Sequence, residues 1–164
     1  MSKTMDNLKE AFAGESQANR KYLAYAAQAE KEGHVGVAKL FKAAAAAETV
    51  HAHGHLRNMK GIGDTAANLQ DAIAGETHEF KSMYPGMIED AKAEGDKAAE
   101  RGFTFANAVE ELHANLYAEA AKDVAGYPAK DWYVCSVCGY TVAGGAPDKC
   151  PVCQALAKSF FKVD

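Results

Sequence analysis

No cysteine precedes Cys135, and all four cysteines fall between Cys135 and Cys153 as two C-x-x-C pairs. In a chain without an export signal, that spacing reads as metal ligation rather than as disulfides. No apolar run approaches the ~20 residues of a membrane span, so no membrane partner is expected. The first residues, MSKTMDNLKE, are too polar for a signal peptide, which places the protein in the cytoplasm. With a net charge of −4 there is no basic surplus for nucleic acid. Val, Ile and Thr are sparse, which disfavours a sheet-dominated fold. No G-x-G-x-x-G follows a strand, so nothing marks a nicotinamide site in this chain.

What is abundant is Ala, Glu, Lys and Leu, the composition of an all-α bundle. Four helices are expected. The first starts after Thr4 or Asp6 as N-cap and runs to Gly33. The second spans about 35–60 and is stopped by Gly61. The third follows Thr65 and runs to Glu94, and the fourth takes Asp96 as N-cap and runs to Asp123. The polyalanine Ala43–Ala47 lies in the second helix. It has the highest helix propensity and lets neighbouring helices approach closely.

Glu48 and His51 follow that run as an E-x-x-H pair. Three residues on a helix bring both side chains to one face, where a carboxylate and an imidazole can hold a metal ion. Alone the pair is weak evidence, but it recurs. AFAGES (Ala11 to Ser16) matches AIAGET (Ala72 to Thr77) at an offset of 61 residues, and AETVHA at Ala47 matches VEELHA at Val109 at 62. The repeat pairs Glu15 with Glu76, Glu48 with Glu110, and His51 with His113. Each half thus supplies one lone Glu and one E-x-x-H, the ligand set of a di-iron carboxylate bundle.

The offset grows by one because a residue enters between Glu76 and Tyr84, an interval that contains Glu79. Such an insertion in a helix usually forms a π-bulge, so a bulge or kink is expected between Glu76 and Pro85. The candidate ligands become Glu15, Glu48, His51, Glu76, Glu79, Glu110 and His113. Five carboxylates gathered together repel unless cations neutralise them. Oxygen-rich ligation with two imidazoles suits iron or manganese better than zinc. Glu79 and His51 are the surplus pair. Ferric iron should prefer the carboxylate and ferrous iron the neutral imidazole, so one iron is expected to change ligand with redox state.

Tyr22 and Tyr84 lie about two turns past a lone ligand Glu. They read equally well as core packing and as proton donors to the ligand carboxylates. His34, His53 and His78 read as turn or surface residues. His55, one turn beyond His51, reads as packing.

Residues 1–126 form the helical domain, 127–132 a linker, and 133–164 a small module too short for an apolar core of its own. A metal on Cys135, Cys138, Cys150 and Cys153 should hold it together. Spacing alone leaves zinc and iron open. Gly139 and Pro151 shape turns whose N–H groups can reach sulfur and tune a redox potential. Trp132, Tyr133, Tyr140, Phe160 and Phe161 are the expected small core.

FAGES, the two E-x-x-H pairs, GET with Glu79, CxxCGY and CPxC together resemble the rubrerythrin family over essentially the whole chain. The resemblance implies a ferritin-like four-helix bundle with a di-iron site, followed by a rubredoxin-like domain with one iron on four cysteines. It implies a cytoplasmic peroxidase that reduces hydrogen peroxide to water and protects against oxidative stress. Electrons would come from a reduced rubredoxin or an NAD(P)H-dependent reductase. By the same resemblance Glu48 and Glu110 bridge the irons, Glu15 with Glu79 or His51 holds one, and Glu76 with His113 holds the other. An iron-handling ferritin-like protein, or a dioxygen or nitric oxide reductase, would use the same ligands.

Ferritin-like bundles join the second and third helices by a long crossover. Here only residues 61–65 intervene, reaching about 17 Å, against about 38 Å for a 25-residue helix. Either the four helices run simply up and down, or the two helix pairs are swapped between subunits of a homodimer or larger homo-oligomer. The swapped dimer is the favoured expectation.

Overall fold

The computed structural model of the chain describes residues 2–163. Two compact units divide at Gly63 and Asp64, and each is built on a helical hairpin.

In the first unit, α1 (Lys3–Lys31) and α2 (Val35–Asn58) pack against each other. Ser2, rather than Thr4 or Asp6, caps α1, its hydroxyl accepting from the Met5 N–H at 3.3 Å. The helix start thus lies earlier than expected because Ser2 satisfies one of the free N–H groups of the first turn. Gly33 takes a φ of +83° just past the end of α1, a conformation that glycine adopts without strain. Buried Ala26, Ala29, Ala38, Ala45 and Ala52 form the inter-helix seam. Buried Asn19 crosses it, donating from Nδ2 to the Ala45 carbonyl at 2.7 Å and to Thr49 Oγ1 at 2.8 Å. These bonds fix the register that sets Glu15 beside Glu48.

The second unit repeats the plan with one interruption. α3 (Thr65–His78), a π-helical turn (Glu79–Met83) and α4 (Tyr84–Glu94) form one rod against α5 (Lys97–Lys122). The Tyr84 N–H donates to the Glu79 carbonyl, the i→i−5 bond of a π turn. Pro85 sits in the first turn of α4, where its missing N–H costs least. The extra residue of the second repeat is therefore absorbed without breaking the rod. Asp64 caps α3, and Asp96 caps α5 through the N–H groups of Ala98 and Ala99.

After α5 come three short antiparallel strands, β1 (Trp132–Cys135), β2 (Thr141–Ala143) and β3 (Phe160–Val163), in the order β2-β1-β3. Tyr140 meets Phe160 edge-on at 6.4 Å. Phe161, expected in the small core, is 53% exposed. Side chains alternate along a strand, so only one of two adjacent phenylalanines faces inward.

Both hairpins bury mainly alanine, and large apolar side chains on the first stay open, including Leu40 at 69% and Val50 at 66% exposure.

Candidate metal centres

Within the first hairpin, Glu15 on α1 and the E-x-x-H pair on α2 bring ligand atoms of Glu15, Glu48 and His51 within 4.8 Å of one another. His51 Nδ1 lies 3.0 Å from Glu48 Oε2 and 3.8 Å from Glu15 Oε1. A hydrogen bond between the carboxyls raises Glu15 above the usual carboxylate range. The same bond, joined by one from His51, lowers Glu48. The two carboxyls and the imidazole thus face one another closely enough to share a cation.

In the second hairpin the arrangement recurs with Glu76, Glu110 and His113. His113 Nδ1 lies 2.8 Å from Glu110 Oε2 and 3.8 Å from Glu76 Oε1. Burial, then the charge of Glu110, pushes Glu76 up to about 6. Glu79, in the π turn, adds its charge to Glu76 but stands outside this triad of ligand atoms. Burial raises Tyr84, and the charges of Glu110, Glu79 and Glu76 raise it further, so its hydroxyl keeps its proton and can donate. The aromatic support repeats as well: Tyr22 meets Phe41 at 6.2 Å, and Tyr84 meets Phe103 at 6.2 Å.

Two neighbours were not expected from the sequence. Tyr117 is raised by burial and then by the charges of Glu76 and Glu110, so it too faces the second triad. It occupies the place that His55 holds in the first repeat, and His55 exerts a charge effect on Glu15. The repeat offset was the signal for both. The other is Thr141, whose hydroxyl lies 3.0 Å from His113 Nε2. It comes from the cysteine module, and no local pattern announces it. An apolar cavity of about 460 Å³ opens beside His113 and Thr141, walled by Leu69, Leu116, Tyr117 and Trp132. His34, His53 and His78 are exposed.

The four cysteines converge, with Cys135 and Cys153 sulfurs 3.7 Å apart and those of Cys138 and Cys150 3.5 Å apart. A tetrahedron with metal–sulfur bonds of ~2.3 Å has edges of about 3.8 Å, so the cage fits a single tetrahedral metal ion. Burial raises Cys138 and Cys153. At Cys150 the same burial is outweighed by N–H groups of Cys153 and Val152 that point at its sulfur, and its thiol is lowered. Tyr140 and Ala155 aim their N–H groups at Cys138 and Cys153. Gly139, at φ +85°, makes the first of these turns, and Gln154, at φ +63°, the second.

The donor sets fit iron: mixed carboxylate and imidazole in each hairpin, and four thiolates in the module. The rubrerythrin profile matches residues 6–121, and the profile of the rubrerythrin rubredoxin-like domain matches residues 133–161. Rubrerythrin-2 of Clostridium acetobutylicum is 36% identical, the match covering 96% of this chain and 95% of the relative. The rubrerythrin of Nitratidesulfovibrio vulgaris is 34% identical over 99% of this chain and 94% of its own. Among solved structures, nigerythrin in its fully reduced, all-ferrous state aligns at a TM-score of 0.60 with 32% identity. That alignment covers 99% of this chain and 88% of nigerythrin. The chain belongs to the rubrerythrin family and is an iron-centred oxidoreductase with a ferritin-like helical portion and a rubredoxin-like C-terminal domain.

Proposed function

We propose that the protein is a peroxidase that reduces hydrogen peroxide to water: H2O2 + 2 e⁻ + 2 H⁺ → 2 H2O. The observation that carries this reading is the duplication of one geometry, a Glu and an E-x-x-H gathered within 4.8 Å in each hairpin. By the family resemblance, a complete iron pair would take one triad from each repeat. Glu48 and Glu110 would bridge, Glu15 with Glu79 or His51 would hold one iron, and Glu76 with His113 the other. When bound, the pair supplies one electron from each iron to the O–O bond, which avoids a free hydroxyl radical.

The protein's own groups handle protons and position. Tyr84 keeps its O–H beside three carboxylates and serves as a proton donor, with Tyr22 its counterpart in the first repeat. Glu76, held near neutrality, can take up and release a proton as the charge on the site changes. Glu79 and His51 would be the alternative ligands of one iron, the carboxylate suiting the ferric ion and the neutral imidazole the ferrous ion. In the second unit, a Cβ on Gly139 of the cysteine turn would touch Val109, one residue before Glu110; this closeness supports a four-thiolate iron that would return electrons one at a time. Its donor is a reduced rubredoxin or an NAD(P)H-dependent reductase.

The working form is a homodimer or larger homo-oligomer with helix pairs exchanged between subunits. Support comes from the short connection over residues 59–64 between α2 and α3 and from the uncovered Leu40 and Val50. The functional division is 1–126, a linker at 127–132, and 133–164, and the compartment is the cytoplasm. No helix is long and apolar enough to cross a membrane among the described residues.

Anaerobic stopped-flow of the reduced protein tests the chemistry. Rapid oxidation by peroxide and much slower oxidation by dioxygen is the expected result. Comparable rates with both would overturn the peroxidase assignment in favour of a dioxygen reductase, and iron deposition under dioxygen would favour iron storage.

A further inference from the structure

The two triads match in geometry but differ in what stands behind the imidazole. His113 Nε2 lies 3.0 Å from Thr141 Oγ1, and the Thr141 hydroxyl in turn donates to the Gly139 carbonyl at 3.0 Å. With that carbonyl taking its proton, Thr141 can only accept from His113. The imidazole then carries a hydrogen on Nε2 and turns Nδ1 to the carboxylates. Nδ1 is the atom that faces Glu110 at 2.8 Å and Glu76 at 3.8 Å. The His113 side chain is 26% exposed, whereas that of His51, its repeat counterpart, is 55% exposed. Among the described residues, His51 meets Glu48 and Glu15 through Nδ1, and no hydroxyl stands at its Nε2.

We propose that Thr141 is a positioning residue: it holds the His113 Nε2–H in a hydrogen bond and so keeps Nδ1 turned to the carboxylates. This makes His113 the fixed imidazole and leaves His51 the movable one. The inference rests on the reading of His113 as a metal ligand. It explains why a site built from two near-identical repeats would exchange a ligand on one side only. The hydrogen bond also ties that ligand to the cysteine turn, because Gly139 directly follows Cys138. The orientation of one centre's ligand therefore depends on the folding of the other centre's domain.

Threonine suits the role because its hydroxyl both accepts and donates, and its methyl stiffens the rotamer on β2. Valine keeps the shape and removes both bonds, while serine keeps the bonds.

Two measurements test this on the full-length protein. In the metal-free form, long-range ¹H–¹⁵N correlation reads the histidine tautomers directly. Wild type and Thr141→Ser are expected to show His113 with a hydrogen on Nε2 throughout, and Thr141→Val a population without it. A wild-type His113 with its one hydrogen on Nδ1, or an unchanged spectrum in Thr141→Val, would overturn the proposal. The second measurement is anaerobic ferrous binding. Thr141→Val is expected to weaken the His113 half by about 10- to 100-fold, with serine restoring it and the His51 half unmoved. Equal loss at both halves, or no rescue by serine, would count against it. The visible absorption of the cysteine-bound iron reports whether the small domain is folded in each variant. If wild type took up no iron in the hairpins, the proposed function would fail, while the metal-free tautomer result would still judge Thr141.

Discussion

His51 Nδ1 stands 3.8 Å from Glu15 Oε1, and the repeat-related His113 Nδ1 stands 3.8 Å from Glu76 Oε1. Two separate hairpins, with different side chains around them, return the same separation. Duplication brought the same residue types to both hairpins, and the kept separation is what a shared ligand role requires.

The first prediction concerns Glu76, whose folded pKa is raised from 4.5 to about 6, chiefly by burial. A carboxyl raised on folding binds its proton more tightly in the native state. Its contribution to stability is therefore present below pH 4.5 and is lost as pH rises through about 6. Metal-free protein should lose that contribution over this window, and Glu76→Gln should flatten the profile. Iron binding should show the opposite trend and weaken below about pH 6. Thermal unfolding and metal titration across pH 4 to 7.5 check both signs.

The second prediction concerns subunit exchange. A chain with Glu48→Ala spoils its first hairpin, and a chain with Glu110→Ala spoils its second. If sites combine hairpins from two chains, co-refolding the two variants yields mixed dimers with one intact site. About a quarter of the wild-type iron pairs should then return, half the dimers being mixed and one of their two sites whole. Sites made within one chain would return none.

A third prediction follows from the π turn. Deleting Ser82 should let the rod run as uninterrupted α-helix, keep Glu76 and Tyr84 in the register that Glu15 and Tyr22 show without a bulge, and displace Glu79 from the turn that sets it beside Glu76. Helical circular dichroism should persist, and iron should fall from about three per chain to about one, the remainder being the tetrathiolate ion. Retention of the hairpin irons would show that the bulge does not set the site.

Asn19 gives a fourth. It is 7% exposed and holds the Ala45 carbonyl and the Thr49 hydroxyl across the hairpin. Asn19→Ala should cost about 1–3 kcal/mol, read from the urea midpoint. Iron binding at the first triad should weaken in parallel, because the same bonds fix the spacing of Glu15 and Glu48.

The repeat made much of this visible in advance. Glu15, Glu48 and His51 could be matched to Glu76, Glu110 and His113 by residue spacing alone, because a duplicated helix face carries its chemistry at a constant interval. The slip from 61 to 62 pointed to a bulge or kink between Glu76 and Pro85, and the π turn falls inside that interval, at Glu79–Met83. Tyr117 was legible by the same offset from His55, but only once each turn beyond the ligand histidine is compared. Thr141 was not legible. Its partner lies in another module, and contacts between modules leave no periodic trace. The Ser2 cap was missed because several capping residues crowd the first turn, and Phe161 because two adjacent aromatics hide which one faces inward.

The central claim is that the two repeat-related triads together hold one coupled iron pair, separate from the cysteine-bound ion. Mössbauer spectroscopy of the anaerobically ⁵⁷Fe-reconstituted and then oxidised protein reads this most directly. The account predicts a diamagnetic, spin-coupled diferric doublet in a two-to-one ratio to a high-spin ferric tetrathiolate signal. A spectrum containing the tetrathiolate signal alone, or uncoupled ferric ions in the hairpins, would contradict it.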